Sequence, residues 1–370
     1  MIYLDYQATT PVAPEVAAAM RPWIEEKFAN PHGASKWSRE AAAAIEIARS
    51  QVERALGLGG GRFAFTSGAT EALNWALKGT FETARRRKLV TVATEHAAVL
   101  DTAEWLEAKG VEVIRLQVGD DGLIDLDMAE AVIDDRVGMV AVMLVNNEIG
   151  VIQPIGEISR MAHQAGALML CDAVQGFGRM PIPEGPDLVA VSGHKIHGPK
   201  GVGGLWMRSG AEPDPLLHGG GQEQGLRSGT LSPALCAGLG EAAHLAGERH
   251  EADMIHIEKL AELALATLGQ GWIINGSATH RYRGNLNLRR EGLDGARIIS
   301  DLRNIAFSLG SACASGSGRP SHVLRAIGLT DRQARSSIRL GFGRYTGEEE
   351  LASACRRINE AAHDQAQLPA

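Results

Sequence analysis

An α/β fold with a mainly parallel sheet, followed by a smaller α+β domain, is what this sequence predicts. Strand-like apolar runs alternate with helical periodicity from residue 62 to residue 207, and after about Leu231 the pattern changes to a long helical stretch and shorter mixed elements. The length of 370 residues also exceeds what one hydrophobic core usually supports, so two domains are expected.

Residues 38–56 read as a helix, with an apolar stripe at Ile45, Ala48, Val52 and Leu56. Gly57 and the glycines at 59–61 break it, residues 62–66 form a strand, and the loop 67–69 leads into a helix from near Thr70. Strands follow at 89–94, 111–116, 138–145 and 167–172, separated by helices at 97–109, 126–133 and 155–165. Two more strands are expected at 187–192 and 203–207. In such sheets ligands bind beyond the carboxyl ends of the strands. Residues 67–70, His96, 146–148, 172–175 and 192–195 all fall at that level. Beyond Leu231 a helical stretch runs to about Leu268, then strands near 272–275 and 285–288, a helix at 295–302 and a strand at 305–309. A Gly/Ser-rich loop at 310–318, two short helices, a strand at 337–342 and a C-terminal helix complete the chain.

The formal net charge is −7 without a long block of one sign, which argues against a nucleic-acid partner. The run Arg85, Arg86, Arg87, Lys88 reads as the solvated end of a helix. The first residues lack a signal-peptide pattern, and the longest apolar run, 139–145, is too short to span a bilayer, so a cytoplasmic protein without a membrane partner is expected. The four cysteines are scattered without a C-x-x-C pair, so neither a disulfide framework nor a metal site is expected.

Several positions can carry chemistry, each with a plainer reading beside it. Gly68, Ala69 and Thr70 between strand and helix suit a phosphate, or Thr70 is simply an N-cap. The G-x-G-x-x-G and P-loop patterns are absent. Lys195, straight after an apolar strand, starts near the sheet interior, where desolvation frees an amine for Schiff-base chemistry; alone it reads as a surface lysine. Ser192 and Lys195 also match S-x-x-K, but the companion motifs of that acyl-enzyme class are missing. Asp172 ends a buried strand and needs a cationic partner or hydrogen bonds. His96 starts a helix or stacks on a flat ligand. Cys171 and Cys236 read as core residues, and Cys355 as incidental on the last helix. Cys313, in a Gly/Ser loop that buries little, reads as a reactive thiol. Arg339 on an apolar strand calls for an anion, either a ligand carboxylate or a buried acidic side chain.

Together these stretches resemble the cysteine desulfurases of the NifS/IscS type, within the aminotransferase class V family, from Tyr3 to about Leu351. The most specific pieces are Thr66-Ser-Gly-Ala-Thr-Glu71, Thr94-Glu-His-Ala-Ala-Val99, Val145-Asn-Asn-Glu-Ile-Gly150, Asp172-Ala-Val-Gln175, Ser192-Gly-His-Lys-Ile-His-Gly-Pro-Lys-Gly201, His218-Gly-Gly-Gly221, Arg227-Ser-Gly-Thr230 and Ser311-Ala-Cys313. The resemblance implies an aspartate aminotransferase-like fold of type I. The expected division is an N-terminal segment 1–15 joining the small domain, a large cofactor-binding domain 16–250, and a small domain 251–370 carrying the Cys313 loop.

It implies pyridoxal 5'-phosphate as cofactor, covalently held by Lys195. Ala69, Thr70, Ser192 and His194 would hold the phosphate, with Thr230 reaching in from the other subunit of a homodimer. His96 would stack on the ring, Asp172 would face the ring nitrogen, and Gln175 the phenolic oxygen. Asn147 would line the cofactor and substrate site, and Arg339 would bind the carboxylate of L-cysteine. Cys313 would take the sulfur as a persulfide and pass it to an acceptor protein such as an iron–sulfur scaffold. The segment Asn30-Pro-His-Gly-Ala-Ser-Lys-Trp37 departs from the family pattern, in which a histidine stands a few residues after the Asn-Pro, and is one residue shorter, and the chain ends without the longer tail of some members. An aminotransferase or selenocysteine lyase of the same family, or a catalytically weak member that regulates a cluster-assembly complex, are the other readings; Cys313 and the intact Lys195 speak for the desulfurase.

Overall fold

The structure is a computed structural model that describes residues 1–310 and 320–367. In chain order it begins with β1 (Ile2–Tyr3), α1 (Pro14–Glu25) and α2 (Lys36–Leu56). The sheet region holds β2 (Gly61–Thr66), α3 (Ala69–Thr83), β3 (Lys88–Val92), α4 (Ala97–Glu107), β4 (Glu112–Leu116), α5 (Leu126–Val132), β5 (Val137–Met143), α6 (Ile155–Gln164), β6 (Leu168–Asp172), β7 (Leu188–Ser192) and β8 (Gly203–Arg208). These seven strands form one sheet in the order β2-β8-β7-β6-β5-β3-β4. β8 runs antiparallel to both its neighbours, and the other pairs are parallel.

Strands such as β5 (VGMVAVM) and β7 (LVAVS) are apolar along both faces because helices cover both sides. α3 and α4 pack one face around Trp75, Leu77 and Phe81. The other face rests on α6 and on α7 (Pro233–Glu248), which also packs against α1 and α2. The stripe Ile45, Ala48, Val52 and Leu56 is buried, as its 3.6-residue period requires.

The remaining elements are α8 (His250–Leu268), β9 (Ile273–Ile274), β10 (Asn285–Arg289), α9 (Gly295–Asp301), β11 (Ile305–Ala306), α10 (His322–Ala326), α11 (Asp331–Arg335), β12 (Ser337–Gly341) and α12 (Glu348–Gln367). β9, β10 and β12 form an antiparallel sheet, α12 packs on α8, and β1 joins β11 in parallel.

Several expectations need correction. The helical stretch to Leu268 is two helices, because Arg249 leaves the helical region (φ −99°, ψ 1°) and the chain turns from α1 and α2 toward α12. α1 was not anticipated, since its alanine-rich face carries only Val16 as a fully buried residue. Lys88 is not part of a solvated helix end: it opens β3, is buried, and donates to the Val132 carbonyl oxygen and to Asp134. Cys355 is fully buried in the core beneath α12, as are Cys171 in β6 and Cys236 in α7 in theirs.

Sheet closure depends on Gly204 in β8. A Cβ there would strike the Phe63 ring and lie 2.5 Å from the Ala64 carbonyl oxygen on β2. Gly204→Ala should therefore destabilise the protein by about 3 kcal/mol, read as a lowered urea midpoint; an unchanged midpoint would contradict this packing.

Candidate active site

The parallel strands bring the predicted positions to one edge. Gly68, Ala69, Thr70, His96, Asn147, Asp172, Gln175, Ser192, His194, Lys195 and Arg339 line a single cleft of about 850 Å³.

One corner is the start of α3. Its N-cap is Gly68, without a side-chain cap, and not Thr70, which stands exposed in the first turn. The first intrahelical bond runs from the Ala72 N–H to the Gly68 carbonyl oxygen (3.2 Å), leaving the amides of Ala69, Thr70 and Glu71 at the positive end of the helix dipole. Glu71 is turned back onto the Ser67 amide (2.7 Å) and paired with Arg227 (2.7 Å), so its charge is neutralised there. Those hydrogen bonds hold its carboxyl below the usual range despite partial burial. Ser192, His194 and the exposed Lys200 line the same cleft. Free amides, a hydroxyl and a cation suit a phosphate.

Lys195 ends a tight turn, Gly193–Lys195, directly after β7. Gly193 is needed because the chain folds back on it: the Ile196 and Gly198 amides both donate to its carbonyl oxygen. A Cβ on Gly198 would also sit 2.8 Å from that oxygen. Lys195 Nζ donates to the carbonyl oxygens of Gln7 and Ala8, each at 2.7 Å. Burial, reinforced by Arg179 and Arg339, pushes the amine down to about 8. His194, half-buried beside Lys195 and Lys200, is pushed down to about 4 by burial and stays neutral at pH 7.

Asp172 closes β6 and is buried. Its Oδ1 accepts the Val174 N–H at 3.0 Å, and no donor among the described residues reaches Oδ2. Burial raises its carboxyl, opposed by His96, the Val174 amide and Lys195. A cationic N–H in the cleft would satisfy it. His96 Nδ1 accepts the Ala98 N–H (3.1 Å) as N-cap of α4, so its neutral form carries the proton on Nε2. His96 is thus both a helix-start residue and a wall of the cleft. Gln175 donates through Nε2 to the Gln7 carbonyl oxygen (3.0 Å), and its Oε1 accepts from Arg179 (2.6 Å).

Arg339 is 1% exposed on β12. It donates to Asp5 Oδ1 (2.6 Å) and to the Asn147 carbonyl oxygen (2.8 Å), and its Nε has no partner among the described residues. Of the two anions considered for it, an acidic side chain is present, while the guanidinium still borders the cleft. Thr230 is exposed and does not line the cleft of its own chain.

Cys313 lies outside the described residues. The flanks of its segment do not: Ser321 donates to Glu148 Oε2, His322 Nε2 meets the Glu95 carbonyl oxygen at 3.0 Å, and Glu148 and His322 both line the cleft. A Cβ on Gly310 would also meet Glu148.

Residue-by-residue reading missed Asp5, the carbonyls of Gln7 and Ala8, His322, Glu95 and Arg179. Glu95 is 1% exposed; Oε1 accepts the Met143 N–H (2.8 Å) and Oε2 has no partner. Burial pushes its carboxyl well above the usual range, so it stays neutral. Adjacency to His96 was the available signal for Glu95, and the spacing of four after Gln175 for Arg179. Among the described residues no cluster of His, Cys, Asp or Glu is placed to hold a metal ion.

In comparisons with known proteins, the aminotransferase class-V pattern matches residues 2–353. A cysteine desulfurase IscS of Rickettsia bellii is 43% identical over 97% of this chain and 91% of its own length. Among solved structures, a NifS-like protein superposes with a TM-score of 0.90 at 34% identity, covering 98% of this chain and 99% of its own. A structure described as SspA in complex with cysteine gives a TM-score of 0.82 at 35% identity, covering 94% of this chain and all of its own.

The depressed lysine can be tested directly. In ligand-free protein, acylation of Lys195 followed by peptide mass spectrometry should rise with a midpoint near pH 8, against roughly 10.4 for an ordinary lysine. A Lys195 that titrates with the exposed lysines would contradict the desolvation argument.

Proposed function

The chain belongs to the aminotransferase class-V family, and we propose on that basis that it is a pyridoxal-phosphate-dependent cysteine desulfurase producing L-alanine and a persulfide on Cys313. The observation that carries the reading is the meeting of an uncapped helix start, a desolvated lysine and a buried carboxylate in one cleft. Cysteine desulfurases aligned along nearly the whole chain support the choice of substrate.

Pyridoxal phosphate fits this donor set. Its phosphate matches the Ala69 and Thr70 amides with Ser192 and His194, its ring nitrogen matches the free Oδ2 of Asp172, and its carbonyl carbon suits the Lys195 amine. When bound, the cofactor acts as an electron sink for bonds at the substrate α-carbon. Asp172 would keep a proton on the ring nitrogen, and His96 would cover the ring face. Arg339, with Asn147, orients the substrate carboxylate. Lys195 would hold the cofactor, and its Nζ, once free, would move the proton at the substrate α-carbon. The Cys313 thiolate then attacks the substrate sulfur. A sulfur–sulfur bond forms as the carbon–sulfur bond breaks, and the electron pair left on carbon takes up a proton to complete alanine.

Thr230 sits on a segment fastened to α3 by the Arg227–Glu71 pair, yet is exposed outside its own cleft. That supports a homodimer in which Thr230 completes the partner's phosphate site. The pairing of β1 with β11 and the packing of α8 on α12 support dividing the chain into 1–15, 16–250 and 251–370, with the first segment joined to the small domain. A sulfur-acceptor protein, such as an iron–sulfur scaffold, takes the persulfide. No helix among the described residues is long and apolar enough to cross a membrane, and a cytoplasmic setting is part of the proposal.

Protein purified with pyridoxal phosphate should be yellow and should release sulfide and alanine from L-cysteine under reducing conditions. Lys195→Ala should lose both colour and activity. Cys313→Ala should keep the colour and lose at least about a hundredfold in sulfide release, and Asp172→Asn should keep the colour with kcat lowered by roughly 10²–10³. A colourless wild type, or a fully active Cys313→Ala enzyme, would overturn the reading.

A further inference from the structure

Arg179 lies behind the cleft on the turn after β6, buried, with no carboxylate at ion-pair distance among the described residues. A buried cation without a counter-charge is costly. Burial lowers its pKa, yet arginine remains charged at neutral pH. Its contacts account for the position. Nη1 donates to Gln175 Oε1 at 2.6 Å and to the Gln175 carbonyl oxygen at 3.3 Å, Nη2 donates to the Lys195 carbonyl oxygen at 2.8 Å, and the Tyr282 ring lies 5.1 Å from the guanidinium carbon.

An arginine has only donors. The oxygen of the Gln175 amide is therefore the end turned to Arg179, and the NH₂ group is the end that faces Gln7 and the cleft. One of its hydrogens reaches the Gln7 carbonyl oxygen, and the other is left for an acceptor in the cleft. Turned over, the amide would offer its carbonyl to an anionic oxygen and repel it. The same guanidinium places a positive charge behind the Lys195 peptide. The other charges around Lys195 are Arg339 from β12, Asp5 from the N-terminal segment and Asp172 from β6, with His194 and Lys200 on its own loop and His96 beside Asp172.

We propose that Arg179 is a positioning residue that locks the Gln175 amide with its N–H side toward the cofactor and fixes a positive charge behind the Lys195 peptide. This rests on the pyridoxal-phosphate reading of the cleft.

The test is a pH titration of the visible absorbance of the holoenzyme, with cofactor affinity measured by equilibrium dialysis. Arg179→Met and Arg179→Gln should raise the midpoint by about one pH unit and weaken pyridoxal-phosphate binding about tenfold. Arg179→Lys, which keeps the charge, should leave the midpoint within about 0.3 pH unit of wild type. Circular dichroism checks that each variant is folded. A folded neutral variant with an unmoved midpoint and wild-type affinity would refute the proposal. Should neither neutral variant fold, Arg179→Lys decides: a retained midpoint supports the proposal, and a midpoint raised by about one pH unit overturns it. A wild type that binds no cofactor would instead sink the function proposed above, which separates the two failures.

Discussion

Because β2, β3, β5, β6 and β7 run in the same direction, their carboxyl ends open on one edge of the sheet, and the loops leaving them converge there. Ser67 to Thr70, His96, Asn147, Asp172 and Lys195 come from five different strands, and sheet order makes them neighbours. β8 runs the other way and contributes room. Its Gly203 pairs with both Thr66 and Ser192 at the mouth of the cleft. A Cβ there would press on Gly68 at 2.9 Å, so a side chain at 203 would push the α3 start away from the Lys195 turn.

The cleft gathers ionisable groups where water is scarce, and burial sorts them. Glu95 and Asp172 are close enough to raise the cost of both ionising, and Glu95, fully buried with one backbone donor, is the one that stays neutral. His194 and His197, both pushed down to about 4 by burial, are neutral at pH 7. Against the anions of Asp172 and Asp5 stand Arg179, Arg339 and an amine that loses its proton near pH 8, joined by the positive end of α3. A cleft of that composition favours an anionic ligand with one cationic ring atom over a neutral or cationic one.

The seven-stranded sheet and its helices were legible because their signals are local. The stripe of α2 and the doubly buried strands show their periodicity without reference to anything distant, and strand ends then follow from alternation. The elements beyond Leu231 were read less well. Their strands are two to five residues long, and past the end of β11 at Ala306 Ser308 makes an isolated bridge to Arg339 on β12. At the site, Lys195 and Asp172 stood at readable strand ends, whereas their partners are far away in sequence. Nothing in the spacing of Asp5 and Arg339, or of Gln7 and Lys195, announces a contact across more than 180 residues. The plainer of the two readings of Thr70, as a cap, does not hold, although Thr is an ordinary N-cap residue. Here Gly68 fills that role, and only the fold reveals that the amides beyond it are left for a ligand.

The N-terminal segment ties these distant parts together. β1 pairs with β11, Asp5 holds Arg339, the carbonyls of Gln7 and Ala8 hold Lys195, and Thr10 bonds His194 and His197. Ten residues thus touch both the strand that would receive a substrate carboxylate and the turn that presents the amine. Among the described residues Arg339 uses one N–H toward Asp5 and one toward Asn147, which leaves Nε and the second hydrogens of both Nη atoms for a carboxylate. One short segment thus holds both the Arg339 guanidinium and the Lys195 amine, which is why a segment outside the main sheet belongs to the site.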